Sequence, residues 1–387
     1  MKYRQRESNM SRSNNNLLHT PDGVRDIYGK EYDNIKFVRK TISDVISSYG
    51  YSDIQTPSFE YFDVFSKEVG TIPSRELYKF FDKENETLAL RPDFTPSIAR
   101  CAAKYFMDEN KPLRFSYIGS TFQNISSLQG KYCEVIQEGA ELINDGTVYA
   151  DAEMISLLIE SLLKTGLENF RISIGEVDYF KGLCREANLS TEEENDLRDL
   201  ISSKNPIAAS DLLKECDISD EMREKLLRIT DTFADHSKLN ELASDAGNDI
   251  SEIAIDRLSA LFELLKLRGF EKYVSFDLGM LSKYQYYTGI VFKAFALGTG
   301  SPIAMGGRYD KLLSYFGKDA PAVGFVILPD EVEKLLERQN LSFPEEEEII
   351  EVLYDMNESG SYVQALNKVT SLRKEGKRAV LINKTRE

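Results

Sequence analysis

The chain has 387 residues, room for two domains at the usual division of roughly one per 100–200 residues. Its 48 basic against 64 acidic residues leave a net charge of −16 at pH 7, which disfavours a life of broad contact with a polyanion but leaves room for a local basic groove. With 42% hydrophobic and 29% charged residues, wholesale disorder is excluded. No stretch approaches the ~18–20 consecutive apolar residues of a membrane span, and the polar start MKYRQRESNMSRSNNNLLHT lacks the apolar core of a secretion signal.

Residues 1–16 read as a mobile tail. From Tyr32 to Ser48 the apolar positions Ile35, Val38, Ile42, Val45 and Ile46 mark one face of a helix closed by Gly50. Short strand-like runs follow at Asp53–Thr56, Leu77–Asp82 and Thr87–Leu90, and Arg91-Pro92-Asp93-Phe94-Thr95-Pro96 turns into a helix ending near Phe106. Residues 114–123 and 132–143 read as a β-hairpin across the polar link 124–131. An amphipathic helix with Ile155, Leu158, Ile159 and Leu162 stops near Gly166, and the strand Phe170–Ile174 comes next.

Residues 182–270 change character to charge-dense helical periodicity, the mark of a helical insertion. Strands are expected at 274–278, 290–296 and 322–327, with Gly306-Gly307-Arg308 as a turn between the last two. The acidic run Glu345–Glu348 suggests a linker over 331–348. Residues 349–387 then read as a βαβ unit whose helix shows the stripe Val363, Leu366, Val369 and Leu372. The body of the chain is therefore one α+β domain over 17–330, interrupted by the insertion.

Four cysteines, Cys101, Cys133, Cys184 and Cys216, lie far apart without a CxxC pair and read as reduced thiols of a cytoplasmic protein. His19 and His236 are the only histidines, so neither a His-rich metal site nor a Ser–His–Asp triad is expected.

Taken in order, several segments carry a resemblance. They are Gly23-Val24-Arg25-Asp26, Thr56-Pro57 with Glu60, Leu90-Arg91-Pro92-Asp93-Phe94-Thr95 and Gln137-Glu138-Gly139-Ala140-Glu141. Further along come Tyr286-Tyr287-Thr288-Gly289-Ile290-Val291-Phe292, Gly306-Gly307-Arg308-Tyr309-Asp310 and Pro321-Ala322-Val323-Gly324-Phe325. Over roughly residues 20–330 this resembles the catalytic domain of histidyl-tRNA synthetase. The resemblance implies a class II aminoacyl-tRNA synthetase-like antiparallel sheet flanked by helices, with a helical insertion and a short C-terminal βαβ unit. Thr56-Pro57 with Glu60 is similar to motif 1, the dimer-forming segment, which implies a homodimer.

The same resemblance implies a candidate histidine-binding set. Asp93, Thr95, Gln137 and Glu141 stand where the family holds the α-amino group, and carboxylates with an amide oxygen suit an ammonium, which only donates. Tyr286 and Tyr287 line the imidazole side. Phe94 replaces the family's glycine, which predicts a narrowed pocket.

The catalytic positions depart from the family. Adenylation needs positive charge where the phosphate's charge develops. The family's Phe-Arg-x-Glu reads Phe122-Gln123-Asn124-Ile125 here, so Gln123 takes the place of the ATP-gripping arginine. Ungapped counting puts Ser282 and Glu331 at the positions of two further arginines, with Gln285 for an aspartate and Lys283 one residue along from Ser282. A donor of this kind is typically worth ~10²–10³ in rate.

A histidyl-tRNA synthetase-like chain with these losses is similar to the regulatory subunits of ATP phosphoribosyltransferase. That resemblance implies a non-catalytic role in the first step of histidine biosynthesis and feedback control with histidine as effector. It also implies a hetero-octamer with the short-form catalytic subunit, with no nucleic-acid partner, membrane, cofactor or metal. The alternatives are an active histidyl-tRNA synthetase or another amino-acid-activating enzyme on the same scaffold.

Overall fold

The computed structural model describes residues 18–66, 72–125, 132–231, 233–234, 239, 242, 247–281, 286–341, 343–344 and 348–384. The expected tail 1–16 lies outside them. The chain forms two compact units, residues 1–341 and 342–387.

The first unit is built on a nine-stranded sheet of order β1-β5-β6-β12-β11-β10-β7-β9-β8. The strands are β1 (Ser52–Asp53), β5 (Leu113–Phe122), β6 (Glu134–Ile143), β7 (Phe170–Glu176), β8 (Phe233–Ala234), β9 (Val274–Asp277), β10 (Ile290–Ala296), β11 (Ala304–Arg308) and β12 (Ala322–Ile327). The run from β5 to β7 is antiparallel, while β1 on β5 and β9 on β7 pair in parallel. A smaller antiparallel sheet, β2 (Phe59–Tyr61), β4 (Thr87–Leu90) and β3 (Lys79–Phe81), stands apart from it.

Helices α1 (Gly29–Ser48), α3 (Val148–Lys164) and α9 (Pro329–Arg338) cover one face of the large sheet. The apolar face expected of α1 is buried at each of its five positions. The hairpin β5–β6 pairs Phe115 with Glu141 and Gly119 with Gln137. Because strand side chains alternate, Ala140 and Leu142 turn to the helix layer and are fully buried, while Gln137, Gly139 and Glu141 turn to the opposite face. Helix α2 (Thr95–Tyr105) starts directly after Asp93-Phe94.

The helical insertion begins at Val177, where β7 ends, and comprises α4 (Val177–Glu186), α5 (Thr191–Ser202), α6 (Pro206–Glu215), α7 (Asp220–Arg228) and α8 (Asp249–Leu267). Ser190, Asn205, Ser219 and Asn248 cap α5 to α8, each accepting a backbone N–H in the first turn. Such caps satisfy donors the helix cannot. Leu197, Ile201, Ala209, Leu213 and Leu226 form its buried interior.

Three expectations are corrected. Gly306-Gly307-Arg308 is not a turn but the body of β11, between β10 and β12. The glycines are there for close approach. A Cβ at Gly306 would stand 2.3 Å from the Gly324 carbonyl oxygen, and one at Gly307 would stand 2.6 Å from the Tyr287 ring. The segment read as a linker from 331 begins inside α9, whose Val332, Glu333, Leu335 and Leu336 are buried; of its acidic run, residues 345–347 lie outside the described residues. The third concerns the second unit, where β13 (Ile350–Tyr354) and β14 (Ala379–Asn383) pair in parallel around α10 (Ser361–Lys374). The buried stripe of α10 is Ala365 and Val369, flanked by Leu372, whereas Val363 and Leu366 are exposed. A small residue was needed where the helix meets the two strands, and an apolar-only pattern overlooks alanine.

Buried carboxyls leave a pH signature. Glu138 faces the helix layer, where its Oε1 accepts from the Ser43 hydroxyl at 2.5 Å and its Oε2 has no partner. Burial pushes it up to about 8, against the Ser43 hydroxyl and the Arg39 charge. Glu176 is pushed up to about 8 as well, by burial and then by Asp178. A carboxyl whose folded pKa is raised holds its proton in the folded state, so its stabilising contribution is present below the ordinary value of 4.5 and is lost as pH rises toward 8. Glu138→Gln has no such proton. Thermal melts from about pH 5 to about pH 8.5 should therefore show a flatter decline for the variant than for the native chain; identical slopes would mean that Glu138 is ionised in the folded protein.

Candidate functional site

The six residues expected to bind a ligand come together. Asp93 and Thr95 at the start of α2, Gln137 and Glu141 on β6, and Tyr286 and Tyr287 before β10 line one pocket on the open face of the large sheet. Tyr117 of β5, Met305 of β11, Tyr309 and Phe325 of β12 complete its wall.

The strand glycines make the space. Gly139, Gly307 and Gly324 share this face with Glu141 and Tyr117, and a Cβ at Gly324 would lie 1.6 Å from Glu141 Oε2. Glu141 is fully buried. Its Oε1 accepts from the Thr95 hydroxyl at 2.8 Å, and its Oε2 accepts from the Tyr309 hydroxyl. Tyr286 donates to Asp93 Oδ2 at 3.1 Å. The Tyr286 and Tyr287 rings lie 4.7 Å apart, and Tyr286 meets Tyr309 edge-on at 6.1 Å.

The pocket gathers acidic groups without a cationic side chain among its described lining residues. Burial pushes Glu141 up to about 8 against its two hydroxyl partners, with Asp93 adding to the rise. Burial likewise raises Asp93, against the Tyr286 hydroxyl and the backbone N–H groups of Thr95 and Phe94. Among the described lining residues there is no lysine or arginine to answer these two carboxyls. Gln137 Oε1 is a buried acceptor without a donor. Two carboxyls and an orphaned amide oxygen are what a bound ammonium would satisfy. The space between the described side chains is small, about 40 Å³.

Phe94 does not narrow the pocket. It is the N-cap of α2, already in helical conformation, and it is not among the residues that line the pocket. The ring is buried beneath the Arg91 guanidinium at 3.9 Å and stacked on Tyr117 at 4.4 Å. Arg91 in turn donates to the Ser120 and Thr56 carbonyls at 2.8 and 3.0 Å, bracing the Asp93 turn against β5 and the segment that precedes β2.

The positions where arginines were expected to be missing lie away from this pocket. Gln123 follows β5, where its backbone N–H donates to the Cys133 carbonyl. Glu331 sits in the first turn of α9, paired with Lys334 at 2.6 Å. Ser282 lies outside the described residues, as do Lys283 and Gln285.

Tyr309, Tyr117 and Met305 were not singled out from sequence. Tyr117 could have been found, since two-residue alternation from Gly119, opposite Gln137, places it on the same face. Tyr309 follows the end of β11, where alternation no longer applies. A larger groove of about 650 Å³, lined by Phe170, Arg171, Lys272, Tyr273, Phe295 and others, lies at the far end of β7 and β10. It is open, and its Glu168 and Asn169 are exposed, so it offers no enclosed polar recognition of the kind seen around Glu141.

Comparisons with known proteins agree with this fold. The histidyl-tRNA synthetase family model matches residues 23–332. The ATP phosphoribosyltransferase regulatory subunit of Acetivibrio thermocellus is 39% identical over 359 residues, covering 93% of this chain and 85% of that protein. The regulatory subunit of Caldanaerobacter subterraneus is 36% identical over 360 residues, covering 93% of each chain. A crystal structure described as an ATP phosphoribosyltransferase regulatory subunit/histidyl-tRNA synthetase from Bacillus halodurans superposes with TM-score 0.87 at 29% identity, over 96% of this chain and 94% of that one. A Nostoc histidyl-tRNA synthetase shares the fold at TM-score 0.79 and 21% identity, over 96% of this chain and 87% of that one.

The pocket's tightness gives a direct test. In Gly324→Ala the new methyl must drive the Glu141 carboxyl off Thr95 and Tyr309, an overpacking expected to cost about 1–3 kcal/mol. The urea midpoint should fall with an unchanged slope; a native midpoint would show that the pocket relaxes without strain.

Proposed function

The chain belongs to the histidyl-tRNA synthetase family, among the members that are ATP phosphoribosyltransferase regulatory subunits, and from that membership we propose how it works. It acts with the short-form catalytic subunit of ATP phosphoribosyltransferase in the first step of histidine biosynthesis and makes that enzyme responsive to histidine. It does not itself activate an amino acid. The pocket around Asp93 and Glu141 is the histidine site.

The observation that carries this reading is the asymmetry of the charges. Acceptors suited to an α-ammonium converge in one pocket, and the resemblance to the synthetases supports the reading further, since it implies that Gln123 and Glu331 replace arginines needed for phosphate chemistry. Glu331 adds negative charge where an adenylating enzyme needs positive charge, and Lys334 already answers it. The chain's net charge of −16 also weakens the counterion-release term that tRNA binding depends on. No described helix is long and apolar enough to cross a membrane, in keeping with work in the cytoplasm beside the catalytic subunit.

Reconstitution tests it. Phosphoribosyl-ATP formation by the short catalytic subunit should rise when this chain is added and fall again with histidine. Asp93→Asn keeps the shape of the pocket and removes a charge, so it should abolish the histidine response and leave the activation in place. Histidine-dependent pyrophosphate exchange with ATP, above background, would overturn the reading in favour of a synthetase.

The small sheet supports a homodimer. Phe59, Tyr61 and Phe80 share one face by their pairing with Leu90 and Leu88, and they are 49%, 59% and 38% exposed. An aromatic patch of this kind on a monomer marks an interface. Light scattering should give a dimer for the native chain and a monomer for Tyr61→Asp/Phe80→Asp at micromolar concentration; a native monomer would remove this part of the proposal.

A further inference from the structure

Five residues other than glycine hold positive φ among the described residues. Four are asparagines, Asn85, Asn144, Asn188 and Asn340, and the fifth is Lys204 at φ 53°. Asparagine tolerates that backbone and lysine does so at a steric cost. Lys204 ends α5: its N–H bonds the Ile201 carbonyl, and the N–H of Asn205 bonds the Leu200 carbonyl, both at 2.9 Å. This is the helix ending in which glycine is usual. What a lysine adds there is its ammonium, which lies 3.2 Å from each carboxylate oxygen of buried Asp277.

Two residues earlier, the Ser202 hydroxyl donates to the Leu281 carbonyl at 3.0 Å. The end of α5 therefore grips both ends of the turn 277–281. The turn is wedged on its other sides too. A Cβ at Gly279 would meet the Ile229 carbonyl oxygen of the insertion at 2.7 Å, and one at Gly175 of β7 would meet the Met280 carbonyl oxygen at 2.5 Å. Met280 is buried with Val177 and Val291, and Tyr287 packs against this cluster. Tyr287 lines the pocket, its ring tilted at 46° against that of Tyr286, which donates to Asp93.

We propose that Lys204 and Ser202 are positioning residues for the ligand pocket, and that through them the helical insertion is coupled to pocket occupancy. The inference rests on the reading of this pocket as a histidine site. The Tyr286–Tyr287 side of the pocket is backed by Met280 on a turn that the insertion holds. Where those two rings stand against a ligand therefore depends on the Lys204–Asp277 and Ser202–Leu281 contacts, and loosening the contacts changes affinity.

The test uses the full chain with Lys204→Gly, Lys204→Arg and Ser202→Ala. Each variant is followed by thermal midpoint, histidine calorimetry and amide exchange of the peptides carrying 277–281 and Tyr286-Tyr287. Glycine takes the left-handed backbone freely, so Lys204→Gly should keep or raise the midpoint. It should nevertheless speed exchange across 277–281 and weaken histidine binding about five- to tenfold, a typical size for coupling between sites. Ser202→Ala should act in the same direction, and Lys204→Arg should return both readouts toward native values. Native affinity and native exchange in Lys204→Gly would overturn the proposal, as would weaker binding without faster exchange of the turn. If the native chain binds no histidine, the site reading fails instead. Exchange then decides alone, and an unaltered turn in Lys204→Gly overturns the coupling.

Discussion

The arrangement of the large sheet against its helices depends on one buried carboxylate. Asp151 of α3 is fully buried and is held from two sides. Arg308 of β11 reaches its Oδ1 through Nε and Nη2 at 2.9 and 2.7 Å, and Arg257 of α8 reaches its Oδ2 at 2.7 Å. Arg308 also donates to Asp310 and to the carbonyls of Asp145 and Thr147, so its guanidinium is fully used. Removing one partner of such a buried group typically costs about 3–5 kcal/mol, because the charge left behind is unsatisfied.

That network also sets the site. Asp310 accepts from the Ala322 N–H and donates its own N–H to the Thr288 hydroxyl. It thereby joins the end of β11 to the start of β12 and to the segment after Tyr287. Tyr309, between Arg308 and Asp310, is delivered into the pocket to hold Glu141. The face of β11 toward the helices carries an arginine that locks the layers, and its other face carries glycine so that Tyr287 can pack closely.

The pocket differs from ordinary core in what it leaves unpaid. Asp151 shows the other arrangement, a buried carboxylate met by two arginines. Around Glu141 the two carboxyls have hydroxyl and backbone N–H donors but no cation among the described lining residues, and Gln137 keeps an idle acceptor. A protein interior tolerates this where a ligand supplies the missing donor, which is why the proposed ligand is a cationic amine rather than a neutral ring alone.

Much of this was legible in the chain itself. Periodicity located α1 and α3, and strand-like runs on either side of a polar link located the β5–β6 hairpin, because burial on one face repeats with the backbone's own period. The ordered segments around Asp93, Gln137, Tyr286 and Gly306 named residues that the fold brings together around one pocket. Other features belonged to the tertiary structure. Only strand pairing shows that Gly306-Gly307 is a mid-sheet approach and not a turn, because glycine serves both. Only packing shows that Phe94 leaves the pocket, that Tyr309 enters it, and that a lysine at the end of α5 reaches a carboxylate 73 residues away. Local sequence determines which elements form and which face each buries; distances between residues far apart in the chain arise only when those faces meet.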